Sequence, residues 1–120
     1  MAKSYCGAGI IPINQGRILV MLEDRKDTDK PEYIDVGGKK EAIDKDSWDT
    51  ALREFSEETK LPLPKQRNIF RSIWLQQGRY ACYVVHYPYI PAPKGFKWIA
   101  SVKELDAPIH HRLKKILTKL

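Results

Sequence analysis

The sequence contains little cysteine and no long run of apolar residues. Its two cysteines, Cys6 and Cys82, fit no zinc motif and are too few for a disulfide scaffold. No stretch approaches the roughly 20 apolar residues that a membrane-spanning helix requires. The first five residues also lack the apolar segment of a secretory signal. We therefore expect two small, buried cysteines in a reducing compartment, the cytoplasm, and no membrane partner.

Internal repeats, low-complexity segments and Ser/Gly-rich linkers are also lacking. A chain of 120 residues has the length of one domain. Its hydrophobic content of 42% and charged content of 30% are typical of a globular protein and exclude a disordered or fibrous one. We predict a single domain over residues 1–120.

Basic residues outnumber acidic ones. The 21 lysines and arginines against 15 aspartates and glutamates give a net charge of +6. Such a charge attracts nucleic acids, nucleotides, polyphosphates or anionic membranes. The charge alone does not choose among these polyanions.

The order of the predicted elements is mixed. Periodicity and turn signals predict strands, one central helix, more strands and a terminal helix. The predicted strands cover 5–13, 17–22, 33–36, 69–75, 80–87 and 96–100, with a polar loop at 23–32, and the predicted helices cover about 47–59 and 108–119. The strand at 33–36 is expected to end at Gly37-Gly38. Because strict βαβ alternation is missing, we predict an α+β fold.

Three glutamates form an unfavourable cluster on the central helix. Glu54, Glu57 and Glu58 lie within an arc of about 100° beside the apolar face. Like charges at these spacings cost roughly 0.2–0.5 kcal/mol each, and anions in the last helical turn cost roughly 0.3–1 kcal/mol. A bound divalent cation such as Mg²⁺, which prefers oxygen ligands, would reverse both penalties. A solvated acidic face is the alternative.

The surrounding residues resemble a known motif. Gly38, Glu41 and Asp44, followed by Arg53-Glu54-Phe55-Ser56-Glu57-Glu58-Thr59-Lys60-Leu61, resemble the Nudix box of the Nudix hydrolases. The Arg-Glu-Phe-Ser-Glu-Glu core matches fully. Three departures distinguish this chain: Asp44 replaces a glutamate, one extra residue precedes Arg53, and Lys60 replaces a glycine. A left-handed lysine at that position is expected to cost about 1 kcal/mol.

The resemblance implies a fold, a reaction and a set of site residues. The fold would be a Nudix-like α/β/α sandwich with a mixed sheet. The reaction would be metal-dependent hydrolysis of a phosphoanhydride bond in a nucleoside diphosphate-linked substrate, by water attack at phosphorus with Mg²⁺ or Mn²⁺. The implied metal ligands are Glu54, Glu57, Glu58 and the carbonyl of Gly38. Glu54 would alternatively activate water, and Arg53 would hold the glutamates in place.

Several assignments stay open from the sequence. The general base is either Glu54 or an unidentified residue, and Glu104 is a candidate whose ordinary role would be a cap. Lys39 and Lys40 are candidate phosphate-binding residues. Tyr80 lies near where a tyrosine accompanies dinucleoside polyphosphate activity in some relatives, but it fits the core or the surface of a sheet better. Candidate substrates are nucleoside triphosphates, dinucleoside polyphosphates, nucleotide sugars and a capped RNA 5′ end, and the protein is expected to be a monomer or homodimer. The alternative functions are a non-catalytic Nudix-fold module that binds nucleotide or RNA, and a basic RNA-binding domain with an accidental acidic helix.

Overall fold

A mixed β-sheet with helices on both faces forms the body of the protein. The computed structural model describes residues 4–24 and 30–120. Seven strands form one sheet: β1 Gly7–Asn14, β2 Arg17–Asp24, β3 Pro31–Ile34, β4 Val36–Lys39, β5 Ile69–Leu75, β6 Tyr80–His86 and β7 Phe96–Ile99. The helices are α1, Ser47–Thr59, and α2, His111–Leu117. The predicted α+β class and mixed sheet are confirmed.

Strand β1 is the centre of the sheet. It runs parallel to β6 and antiparallel to β2 and β4. Its pairing with β2 covers only Ile13↔Ile18 and Asn14↔Arg17, next to the turn that joins them. Beyond that point β4 pairs with β1 and β3 pairs with β2. The two short strands therefore occupy the space where β1 and β2 diverge, which brings β4 into contact with α1.

Each face of the sheet has its own hydrophobic core. Alternate residues of a strand point to opposite faces, so Ile10 packs on the α1 side and Ile11 on the α2 side. Phe55 is fully buried in the first core, and Leu113 is fully buried in the second. Burial of both helices against one sheet produces the predicted three-layer sandwich.

The strand predicted at 33–36 does not end at the glycines. After Ile34 only Asp35 interrupts the extended chain, and β4 continues through Gly37 and Gly38 to Lys39. The ladder with β1 stabilises this extension, because β4 pairs with β1 along all four of its residues. The predicted polar loop at 23–32 is also shorter, because pairing between β2 and β3 makes its two ends part of those strands. Residues 25–29 lie outside the described ranges.

Helix α2 begins later than the predicted residue 108. The Tyr33 N–H donates to the carbonyl of Pro108, and Tyr33 O accepts from the N–H of His110. These bonds hold residues 108–110 extended alongside β3. Nδ1 of His110 then accepts from the N–H of Arg112 at 3.0 Å and caps the helix.

The two cysteines differ in burial. Cys82 is buried in β6 as predicted, but Cys6 is exposed, so the prediction of two buried cysteines was wrong for Cys6. Cys6 precedes β1 and lies outside both cores. Within the described residues, no helix is long and apolar enough to cross a membrane.

Lys60 ends α1 in the left-handed conformation that the missing glycine predicts. Its φ is 59° and its ψ is 18°, and its N–H donates to Ser56 O at 3.0 Å. A side chain at this backbone geometry places Cβ close to the following carbonyl. The turn is therefore formed at a conformational cost.

Replacing Lys60 with glycine is expected to stabilise the protein. We expect Lys60→Gly to raise the free energy of unfolding by about 1 kcal/mol, because glycine adopts positive φ without the steric cost of Cβ. Urea denaturation measures this change. Lys60→Ala is the control, since it retains Cβ and is expected to change stability by less than about 0.5 kcal/mol. Equal effects of glycine and alanine would contradict the explanation.

Candidate active site

Arg53 is the centre of the carboxylate cluster. It lies on α1, and its side chain is mostly buried, with 14% exposed. Its Nε donates to Asp44 Oδ1 at 3.0 Å, and Nη2 donates to Asp44 Oδ2 at 2.9 Å. Nη2 also donates to the carbonyl of Lys39 at 2.9 Å. The guanidinium thus connects α1 to the end of β4 and to the loop at 40–46.

The remaining terminal nitrogen of Arg53 gathers three glutamates. Nη1 lies 3.2 Å from carboxylate oxygens of Glu41, Glu54 and Glu57. Its positive charge offsets the repulsion that the sequence predicts among the acidic residues of α1. That Arg53 holds the glutamates in place for catalysis stays a prediction.

Asp44 positions Arg53. Its side chain is only 3% exposed, and Oδ2 also accepts from the Thr50 hydroxyl at 2.7 Å and from the N–H of Glu41 at 2.8 Å. Hydrogen bonding to Arg53 is the main cause that holds the pKa of Asp44 well below its usual range. The same pairing raises the pKa of Arg53. Asp44 is shorter than the glutamate of the Nudix box, and the loop before Arg53 is one residue longer. Together these two departures place both oxygens of the Asp44 carboxylate against the Arg53 guanidinium.

Glu54 is the most buried of the three glutamates on α1. Its side chain is 13% exposed. A Cβ added at Gly38 would lie closer than 3 Å to the Glu54 carboxyl group, so only glycine fits beside it. Burial raises the pKa of Glu54, and the charges of Glu57 and Glu58 raise it further while Arg53 opposes the shift.

Glu57 and Glu58 face solvent at the end of α1. Glu57 has 54% of its side chain exposed, and Glu58 is also exposed. Among residues 4–24 and 30–120, no three His, Cys, Asp or Glu side chains are already arranged around a metal position. The donors are nevertheless of the right kind, since carboxylate oxygens suit hard divalent cations. Glu54 and Glu57 also lie close to each other beside Arg53, so the oxygen donors of α1 are of the kind that such an ion prefers.

The backbone of β4 offers carbonyls in two directions. The N–H of Lys40 donates to Cys6 O at 2.8 Å, and the register then makes Ala8 and Gly38 a hydrogen-bonded pair. The carbonyl of Gly38 therefore faces β1. The carbonyls of Gly37 and Lys39 face the opposite edge, where Lys39 O accepts from Arg53.

The other predicted site residues have distinct surroundings. Lys39 lines a cleft of about 420 Å³ beside Gly37 and Gly38. Lys40 instead places Nζ 4.7 Å from the centroid of the Tyr5 ring. Glu104 Oε2 accepts from the N–H groups of Ala100 and Ser101 at 2.6 and 2.7 Å. These bonds lower the pKa of Glu104 and identify it as a cap.

A second polar cluster escaped the sequence analysis. Asp35 is fully buried, and its carboxylate accepts from the Tyr80 hydroxyl at 2.5 Å and from Arg112 Nε at 2.8 Å. The Arg112 guanidinium lies 4.3 Å from the centroid of the Tyr80 ring. Tyr80 is buried in β6, which is one of the two positions, core or sheet surface, that the sequence predicts for it. The available signal was a lone aspartate inside the apolar segment Tyr33-Ile34-Asp35-Val36.

No protein-family model matches the chain, and no curated protein matches its sequence. Solved structures do match its fold. A MutT NUDIX hydrolase from Burkholderia pseudomallei is 18% identical with a TM-score of 0.67, and the alignment covers 98% of each chain.

Two further structures are similar. A NUDIX hydrolase from Nitrosomonas europaea is 16% identical with a TM-score of 0.61, covering 97% of this chain and 87% of that one. The C-terminal domain of mouse MUTYH, solved in complex with human PCNA, is 18% identical with a TM-score of 0.59, covering 93% and 83%. At these identities the similarity shows the fold. The chain has the fold of the Nudix hydrolases.

Removing the charge of Asp44 is expected to destabilise the protein. Asp44→Asn should lower the free energy of unfolding at neutral pH by about 1.5–3 kcal/mol, because hydrogen bonds between charged groups are lost. The depressed pKa means that this stabilisation is present above the ordinary aspartate pKa of about 3.9. It fades as the pH falls towards the pKa of the folded state. The difference between the two proteins should therefore shrink below about pH 4.

Chemical denaturation across this pH range measures the effect. Asp46→Asn is the matched control, because Asp46 caps α1 through its side chain and asparagine caps almost equally well. A pH-independent difference for Asp44→Asn would show that its charge is not the cause.

Proposed function

We propose that the protein is a metal-dependent hydrolase that cleaves a phosphoanhydride bond in a nucleoside diphosphate-linked substrate by water attack at phosphorus. The observation that carries the proposal is the gathering of Glu54 and Glu57 on one nitrogen of Arg53, beside the glycines of β4. The Nudix fold and the match to the box core support it.

The proposed metal ligands are carboxylates of α1. Glu57 and Glu58 are exposed at the end of the helix, Glu57 is paired with Arg53, and Glu54 lies beside them. Bound Mg²⁺ or Mn²⁺ would neutralise phosphate oxygens and lower the pKa of a bound water. Coordination by Gly38 stays a prediction. Because the Gly38 carbonyl faces β1, the Gly37 carbonyl is the better-placed backbone ligand on the opposite edge.

Arg53 prepares the glutamates for this role. It holds two of them before any ion arrives, and Asp44 fixes the guanidinium in turn. Preorganised ligands lose less conformational freedom on binding. Glu54 fits either role that the resemblance gives it, ligand or acceptor of a proton from water, and its partly buried position with a raised pKa favours proton acceptance.

The proposed substrates are nucleotides or related polyphosphates. The charge of +6 and the position of Lys39 at the cleft favour an anionic substrate. Nucleoside triphosphates, dinucleoside polyphosphates, nucleotide sugars and a capped RNA end all contain the required linkage. A cytoplasmic location and a monomeric or homodimeric state remain predictions.

A non-catalytic binding module is the second candidate. The similarity to a MUTYH domain, whose structure is a complex with PCNA, shows that this fold occurs in a protein-binding context. Such a module would not need its glutamates, so their presence favours hydrolysis. Replacing Glu57 and Glu58 with glutamine separates the two candidates, because it should abolish hydrolysis but leave the function of a binding module intact.

Product analysis tests the hydrolase directly. We expect the protein with Mg²⁺ to cleave at least one compound in a panel of nucleotides, dinucleoside polyphosphates, nucleotide sugars, inositol pyrophosphates and capped RNA. Replacing residues that hydrogen-bond to metal ligands typically lowers activity tenfold to hundredfold, and replacing the ligands themselves should lower it more. A protein with Glu57→Gln and Glu58→Gln should therefore cleave the substrate about a hundredfold more slowly, or slower still. Mass spectrometry identifies the products.

Glu104→Gln is the control for this experiment. Glu104 caps a turn and contacts none of the three glutamates in the structure, so its replacement is expected to leave the rate within about threefold. Absence of cleavage with both Mg²⁺ and Mn²⁺, with the protein folded, would contradict the hydrolase. Full activity in the doubly substituted protein would contradict the assigned ligands.

A further inference from the structure

The end of the sheet that lies away from the carboxylate cluster forms a second surface. At one end of β1, Gly7 pairs with Lys39 and Tyr80, beside the cluster. At the other end, Asn14 pairs with Arg17. Eight extended residues separate the two ends of β1 by roughly 20 Å. A site at the Asn14 end is therefore distinct from the proposed metal site.

Acidic residues are lacking from the part of the chain that builds most of this surface. Residues 59–103 contain eight lysines and arginines and no aspartate or glutamate, although the whole chain has 15 acidic residues. The same residues form β5, β6 and β7 and the loops between them. Such segregation of charge produces a positive potential where these loops meet.

Three adjoining hollows form one groove at this end, which we call the basic groove. Their volumes are about 340, 340 and 530 Å³. The first two share Asn68 and His86, and the second and third share Asn14 and Gln15. The exposed cationic residues that line the groove are Lys65, Arg67 and Arg17. Among the residues that the structure describes, no aspartate or glutamate lines it.

One carboxylate acts on the basic groove from outside its lining. Glu104 lies within electrostatic range of Arg17. Its Oε2 already accepts from the backbone N–H groups of Ala100 and Ser101, which balance part of its negative charge. The three cations of the groove therefore leave its net charge positive.

Two exposed aromatic rings adjoin the basic groove. Tyr89 lines it and is 60% exposed, and one face of its ring stacks on Trp98, with centroids 5.5 Å apart. The indole N–H of Trp98 donates to Ile90 O at 2.8 Å and holds this support in place. Phe70 is 51% exposed and lies with its centroid 5.2 Å from that of His86, which lines the groove. Tyr89 thus presents a supported ring with an open face.

This combination of groups matches single-stranded nucleic acid. In such complexes cationic side chains follow the phosphates, and exposed rings stack on the bases. A duplex keeps its bases stacked on one another, so it would leave the Tyr89 ring unused. An acidic polypeptide would satisfy the cations, but it has no planar bases to stack on the ring. The charge and the rings together therefore favour a single strand.

We propose that the basic groove binds single-stranded RNA or DNA. The phosphates lie along Arg17, Arg67 and Lys65, and a base stacks on the open face of Tyr89. This binding site goes beyond the proposed hydrolase and does not depend on it, because the groove contains none of the carboxylates of α1.

Fluorescence anisotropy with a labelled oligouridylate of eight nucleotides tests the groove without catalysis. The buffer contains EDTA, so neither hydrolysis nor a bound metal contributes. We expect saturable binding whose logarithm falls with the logarithm of salt concentration with a slope of about −2, the value for three phosphate contacts on a single strand. Binding that does not depend on salt would overturn the proposal.

Replacements of Tyr89 test the stacked base. Tyr89→Leu keeps an apolar side chain but loses the ring, so binding should weaken about fivefold or more. Tyr89→Phe keeps the ring and is expected to bind within about twofold of the native protein. A thermal unfolding curve verifies that both variants are folded. Equal binding by folded Tyr89→Leu and by the native protein would overturn the stacking contact and with it the proposal.

Arg67→Gln tests the phosphate contacts. We expect it to weaken binding and to reduce the salt slope by about 0.7, the loss of one phosphate contact. Lys45→Gln is the matched control, because Lys45 is exposed in the loop at 40–46, lines none of the three hollows and contributes the same charge. Equal weakening by both variants would overturn the proposal, since the attraction would then be general.

Competition identifies the class of ligand. Unlabelled oligouridylate should displace the labelled strand, whereas octaglutamate, of nearly equal charge, and an RNA duplex of the same length should displace it poorly. Equal displacement by octaglutamate would assign the groove to an acidic polypeptide, and equal displacement by the duplex would exclude stacking. Either result overturns the proposal.

The outcomes for the groove and for the hydrolase are independent. The protein with Glu57→Gln and Glu58→Gln should bind the oligouridylate as the native protein does. Binding in the groove without hydrolysis of any panel member would support the groove and contradict only the hydrolase. Hydrolysis without binding of the oligouridylate would contradict only the groove.

Discussion

The candidate site depends on one guanidinium placed among four carboxylates. Without Arg53, the acidic residues of α1 would repel one another and oppose the helix dipole. With it, Glu54 and Glu57 converge while Asp44 fixes the arginine from the other side. The helix is therefore stable with the carboxylates close together. The arrangement that local electrostatics disfavours is the one that the proposed metal-assisted hydrolysis would use.

The strand β4 connects this cluster to the rest of the molecule. Its ladder with β1 holds Gly37 and Gly38 extended between α1 and the cleft. Absence of a side chain at Gly38 makes room for Glu54, and absence of one at Gly37 makes room for Tyr80. Two adjacent glycines thus determine the approach to the site from both faces of the sheet.

The central helix was predictable from local sequence patterns, whereas roles that depend on partners distant in the sequence were not. The spacing of apolar residues and the cap placed α1 at 47–59, and the observed bounds are Ser47–Thr59. The left-handed Lys60 also followed from a local rule. The roles of Asp44 and Asp35 did not, because their arginines lie 9 and 77 positions away. The late start of α2 similarly depends on pairing with Tyr33, which no local pattern contains.

The central proposal is that the carboxylates of α1, two of which Arg53 holds close together, form a divalent-cation site. Electron paramagnetic resonance of Mn²⁺ measures the free ion and tests this claim without any substrate. The account predicts saturable Mn²⁺ binding that weakens by at least about tenfold in the protein with Glu57→Gln and Glu58→Gln. Equal Mn²⁺ binding by the native and substituted proteins, both folded, would contradict it.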